Sequence, residues 1–159
     1  MEMFIAVALL VLAIVVGGLA RLLPTREERR LAALRMAAIR AGLRVRRPLA
    51  AEREALGLRP GSCWYVLPTA PDAAAADEAR VTLVLADGAW RRIEGEGPEP
   101  PAFPAGCQAL VVEAAEARVA WDERGGEAEL TAIGSALREL ASRRVAGSLT
   151  SSRAFPPVP

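Results

Sequence analysis

Residues Arg80 to Ile93 read RVTLVLADGAWRRI, and this stretch decides the fold class. Two runs of β-branched, apolar and aromatic residues flank Asp87-Gly88. Asp-Gly supplies the two positive φ values of a type I′ turn, whose twist matches that of the strands it joins. The pattern predicts strands over 81–86 and 89–94. A hairpin alone is marginal in water, so further strands are needed nearby.

They are found on both sides. Cys63-Trp64-Tyr65-Val66-Leu67 reads as a strand halted by Pro68. Before it, Ala50 to Leu58 reads as a short helix ended by Gly57, and Arg59-Pro60-Gly61 is a turn signal. Pro71 to Glu78 (PDAAAADE) is low-complexity and reads as a loop. After the hairpin, Gly95 to Pro104 carries four Pro in ten residues and predicts an extended connector. Ala109 to Glu113 and Glu116 to Trp121 are two further short strands, and Glu123-Arg124-Gly125-Gly126 turns the chain. From Glu127 to about Val145, Leu130, Ile133, Leu137, Leu140 and Ala141 fall on one arc of a helix. Thr131, Ser135, Arg138, Glu139 and Ser142 lie opposite. Gly147 is read as its end, and residues 147–159 as a disordered Pro-rich tail. The expectation for 48–146 is an α+β domain of about five antiparallel strands with one or two packed helices.

Charge divides the chain differently. All 20 basic residues are Arg, with no Lys and no His. Without His there is no His-based triad, no His metal ligand and no imidazole acid/base. Two cysteines are too few for a zinc site or a disulfide framework, so no metal and no cofactor are expected. Nine Arg against two Glu lie between Arg21 and Arg47, a net of +7, whereas from Pro48 onward eleven Arg face sixteen Asp and Glu, a net of −5. The overall charge of +1 argues against a nucleic-acid partner.

Met3 to Ala20 (MFIAVALLVLAIVVGGLA) is eighteen residues without a charge, and Leu22 and Leu23 extend it past Arg21. At ~1.5 Å per residue the run spans about 30 Å, the thickness of bilayer hydrocarbon. A transmembrane helix over 3–23 is therefore expected. A cleaved signal peptide needs a positive N-terminal flank, and here that flank is Met1-Glu2. The Arg excess after the run puts the C-terminal side in the cytoplasm of a bacterial inner-membrane, single-pass protein, N-terminus out. Ala13-x-x-x-Gly17 has the spacing of a helix-pairing seam, which would give a homodimer, although such spacing is common by chance in an Ala-rich span.

Residues 24–47 form the Arg-rich juxtamembrane segment. Thr25-Arg26-Glu27-Glu28 fits a capping box, and Gly42 fits the residue after the helix, so a helix from about Arg26 to Ala41 is predicted. Arg26, Arg29, Arg30 and Arg40 share one stripe, while Leu31, Leu34, Ala38, Ile39 and Leu43 lie elsewhere, Met36 lies at the border and Arg35 interrupts the apolar side. The stripe reads either as a lipid-facing surface on the anionic inner leaflet or as a solvated face that enforces topology.

Reactive constellations are few. Cys63 and Cys107 read as small buried hydrophobes, with a redox pair as the alternative. Asp122, Glu123, Glu127 and Glu129 cluster at one turn and read as solvated surface. Trp90, were it exposed beside Arg91 and Arg92, would be a partner contact.

Leu-Leu-Pro (22–24), Arg-Glu-Glu-Arg-Arg (26–30) and Leu-Arg-x-x-Ala-x-x-Ala-Gly-Leu (34–43) give a layout that resembles uncharacterised single-span inner-membrane proteins of GC-rich proteobacteria. The plan is also similar to the YajC family of preprotein-translocase accessory subunits over about the first 45 residues. The family's Thr-x-Gly-Gly element is missing here. The resemblance implies location and an accessory role, and transfers no site. The expected function is a non-catalytic, membrane-anchored interaction protein whose partners are the lipid bilayer and an unknown membrane or cytoplasmic protein. A translocase-type accessory subunit, or a tethered enzyme or ligand sensor with a carboxylate-lined pocket, are the alternatives.

Overall fold

A computed structural model describes residues 1, 3–5, 7, 24–69, 80–97 and 99–151, with only the backbone described over 144–151. Nearly all of the expected span 3–23, the loop 71–78 and tail residues 152–159 lie outside the described residues. No helix among the described residues is long and apolar enough to cross a membrane. The chain divides into two units, Met1–Ala33 and Leu34–Pro159.

The first unit holds the start of helix α1 (Arg26–Arg40). Its capping box is formed: the Glu28 N–H donates to Thr25 Oγ1 at 3.1 Å, and the Thr25 N–H donates to Glu28 Oε2 at 2.6 Å. These bonds satisfy N–H groups that the first helical turn leaves without partners, and they hold the Glu28 carboxyl below its usual range.

The second unit is α+β. From Leu34 it continues α1, then runs β1 (Arg44–Arg46), α2 (Ala50–Ala55), β2 (Cys63–Pro68), β3 (Val81–Ala86), β4 (Ala89–Glu94), β5 (Cys107–Glu113), β6 (Glu116–Trp121) and α3 (Glu127–Ser151). The six strands form one antiparallel sheet in the order β1-β2-β6-β5-β3-β4. Gly42, at φ +81, ends α1 in a Schellman motif: Gly42 N–H donates to Ile39 O and Leu43 N–H to Ala38 O, both at 3.0 Å. Asp87 and Gly88, at φ +53 and +79, make the β3–β4 turn with the two positive φ values its sequence demands.

Two boundaries differ from the sequence reading. The sheet has six strands rather than five, because Arg44-Val45-Arg46 pairs with β2. Three residues carry too little periodicity to declare a strand, and only the presence of β2 creates this one. Of the segment 24–47, residues 34–47, with the later part of α1 and all of β1, belong to the second unit, here called the head. Helix α3 also runs past Gly147 to Ser151, so the tail does not begin at 147. A helical Gly costs only about 1 kcal/mol relative to Ala. No residue lacking an N–H occurs until Pro156.

Strand alternation gives the sheet two apolar faces. On one, Tyr65, Leu83, Leu110, Val119 and Trp121 pack with Leu34 and Ala38 of α1 and with Leu130, Ile133, Leu137 and Leu140 of α3. Tyr65 and Trp121 meet edge to face at 5.4 Å. On the other, Trp64, Val66, Ala109, Val111 and Ala120 pack with Leu56 and Leu58, which follow α2. β6 sits in the middle of the sheet, and every one of its last five residues is buried.

Candidate functional site

Arg35 of α1 reaches Glu123 in the turn after β6. Arg35 Nε lies 2.9 Å from Oε1 and NH2 lies 2.5 Å from Oε2, a bidentate pair. The Tyr65 hydroxyl donates to the same Oε1 at 2.8 Å, and Arg35 NH2 is 3.5 Å from Cys63 Sγ. Glu123 is only 2% exposed, so the expectation of a solvated carboxylate there is wrong. Its neighbour Asp122 is also largely enclosed, accepting from the Arg124 N–H at 3.2 Å. Glu127 is exposed, and the Glu129 carboxylate accepts the Gly126 N–H at 2.8 Å. Glu123 has φ +57, a left-handed conformation that costs a non-Gly residue about 1–2 kcal/mol. The strain aims the carboxylate inward, where Arg35 and Tyr65 meet it.

The chemistry of this cluster is that of an anchor. Burial, then the Glu123 hydrogen bond, push the Tyr65 hydroxyl well above its usual range. Burial and the nearby Glu123 charge likewise raise the Cys63 thiol, with Arg35 opposing. The hydrogen bond to Glu123 holds the Arg35 guanidinium firmly charged. Tyr65 and Cys63 are therefore neutral near pH 7, and neither is an activated nucleophile or base. Cys107 is also raised by burial, to about 12. Cys63 and Cys107 both stand opposite Trp121, one on each side of β6. Two strand spacings, about 10 Å, separate their backbones, and a disulfide needs less than about 7 Å. Both are free and buried, and the redox-pair alternative fails on this geometry.

The Arg35 grip fixes the roll of α1 in this unit. Leu34 and Ala38 point inward, which leaves Met36 at 50% and Ile39 at 55% exposed beside exposed Arg40. Ile39 thus departs from its sequence-assigned place on the apolar side. Of the other stripe residues, Arg26 and Arg29 are exposed and Arg30 is half-buried, with its NH2 2.6 Å from Glu27 Oε1.

At the far edge of the sheet, Trp90 is half-buried rather than free, meeting Phe103 edge to face at 5.6 Å. Arg91 pairs with Asp87 at 2.8 Å, and Arg92 NH2 donates to Gly97 O at 2.6 Å. The strand that carries them is otherwise exposed, Ile93 at 58%.

Sequence reading missed Arg118, which is 7% exposed in the middle of β6. Its guanidinium lies 5.2 Å from the Trp64 ring centre and reaches Glu116 at 2.6 Å and Glu113 at 3.1 Å. Its Nε has no hydrogen-bond partner among the described residues. A charge inside the otherwise apolar run Ala117–Trp121 was the available signal, since such a group needs counter-ions. No group of three or more His, Cys, Asp or Glu that could hold a metal occurs among the described residues. A cleft of about 140 Å³ between α1 and α3 is lined by Ala37, Ala41, Leu130 and Gly134, with Glu127 and Arg138 among its polar residues. Small-molecule sites usually occupy about 300–1,000 Å³.

The fold and these clusters define a small α+β head whose buried charges brace it. Comparison with family models, curated proteins and solved structures returns no match.

Proposed function

We propose that the chain is a membrane-anchored, non-catalytic interaction protein of the bacterial inner membrane. One observation carries the reading: an uncharged run of eighteen residues followed at once by nine Arg against two Glu. The run is long enough to span hydrocarbon, and the charge bias after it favours a cytoplasmic head. The stretch from Pro48 onward is net acidic, which favours a protein partner over an anionic leaflet for that part of the head. The paired state of Glu123 and the neutral state of Tyr65 and Cys63 support a structural rather than catalytic core. Within this class, an accessory subunit of a membrane complex such as the preprotein translocase fits the layout. The partner contact is expected on the exposed strand of the β3–β4 hairpin, around Arg91, Arg92 and Ile93, with Trp90 half-buried behind them.

Two measurements test the reading. A C-terminal reporter that works only when exported should stay silent, and a signal from it would reverse the topology. A photo-crosslinking residue at Arg91 in native membranes should capture one protein reproducibly, whereas one at Ser135 on α3 should not. Ile93→Glu should abolish that adduct. Equal capture from both positions would remove the hairpin as the contact.

A further inference from the structure

Met36 and Ile39 stand half-exposed on α1 although the head has an apolar core within reach of the same helix. They lie at i and i+3, with Arg40 at i+4, so they share one face. That face is not left over from poor packing. Arg35 binds Glu123 on another side of the helix and Leu34 and Ala38 fill the sheet-facing side, so the roll is set and the Met36 face points out. Two large hydrophobes with a cation beside them make the composition of an interfacial helix, in which apolar groups enter the acyl boundary and Arg meets lipid phosphate.

We propose that the Met36–Ile39–Arg40 face of α1 docks onto the anionic inner leaflet, so that the head is held against the membrane by this helix face. The inference rests on the membrane-anchored reading. Only five residues separate Ala20 from Arg26, a reach of at most about 20 Å. Met36 lies ten residues further, about 15 Å along a helix axis. A face tethered so closely meets the bilayer at high effective concentration, which lets a small apolar area suffice. The arginine excess selects an anionic surface. Exposed Arg44 and Arg47 follow just beyond the helix and add to the local positive charge.

The test uses the full chain reconstituted in vesicles of phosphatidylcholine, with or without phosphatidylglycerol. A fluorescent amino acid replaces Ile39, or exposed Ser135 of α3 as control, and lipids carrying an acyl-chain quencher report depth. Quenching at position 39 should exceed that at 135, rise when phosphatidylglycerol is present and fall in high salt. Arg40→Gln should lower the docked-to-undocked ratio about fivefold, the contribution of one interfacial Arg. Equal quenching at both positions in both vesicles overturns the proposal, even where the chain resists alkaline carbonate extraction and is therefore anchored. A position 39 shielded in native membranes but unquenched in protein-free vesicles overturns it in favour of a protein-covered face. A chain that washes off in carbonate yet shows lipid-dependent quenching at 39 removes the anchor and leaves the docking face standing.

Discussion

The Arg35 guanidinium and the Glu123 carboxylate form a bidentate pair, at 2.9 and 2.5 Å, between residues 88 positions apart. The pair joins α1 to the turn that leads into α3, and the Tyr65 hydroxyl completes it from β2. Removing one partner leaves the other charge poorly compensated. Glu123→Gln is expected to destabilise the head by about 3 kcal/mol, toward the low end for a buried pair because Arg35 is one-third exposed. Urea unfolding followed by tryptophan fluorescence measures it. Arg35→Met combined with Glu123→Gln should cost less than the sum of the two single changes. Strict additivity would mean that the two residues do not act as a pair.

Stability should fall in alkaline solution. Tyr65 is raised from an unfolded value of 10.0, Cys63 from 9.0, and Cys107 from 9.0 to about 12. For each, the folded state holds its proton more tightly than the unfolded chain. The contribution is therefore complete below the unfolded value and is lost as pH rises through the folded one. Above its own unfolded value, and until its folded value is reached, each group lowers stability by at most about 1.4 kcal/mol per pH unit. Tyr65→Phe should remove the part that begins near pH 10. An unfolding free energy flat from pH 8 to 11 would contradict this account.

Cys63 and Cys107 should remain separate thiols. Mild oxidation of the folded protein is expected to leave two groups that react with maleimide only after denaturation, counted by mass. An intramolecular disulfide formed without unfolding would require β2, β6 and β5 to be paired otherwise than they are.

Arg118 braces the opposite face of the sheet. Its charge is shared among Glu113, Glu116 and, at 3.8 Å, Glu52, and its guanidinium carbon lies over the Trp64 ring. Arg118→Ala should cost about 2–4 kcal/mol, from lost ion pairs and the lost cation–π contact. Arg118→Lys should recover part of that, because it keeps the charge but not the planar fork. Thermal unfolding ranks the three proteins. A lysine variant no better than alanine would show that geometry, not charge, dominates.

Much of the fold was legible because its signals are local. The hairpin over 81–94 follows from alternation and from Asp87-Gly88 alone. The start of α1 follows from Thr25 and Glu28, three residues apart, and its end from Gly42. The inward arc of α3 follows from helical spacing, with Leu130, Ile133, Leu137 and Leu140 all buried. The bracing cluster was only half visible. Arg35 stood out as an interruption of an apolar stripe, but nothing near it in sequence names Glu123 as its partner.

The sequence by itself determined most of the elements, their caps and turns, and the basic-to-acidic change of charge after residue 47, since these depend on residues within a few positions of one another. Only the tertiary structure decided that β1 is a strand, that Glu123 and Arg118 are buried ions, that two cysteines flank one tryptophan without meeting, and that Ile39 faces outward. Each of these outcomes depends on which strand lies beside which, and on one long-range ion pair that sets the roll of α1. Pairing partners tens of residues apart are chosen by closure of the whole sheet, and no local periodicity encodes that choice.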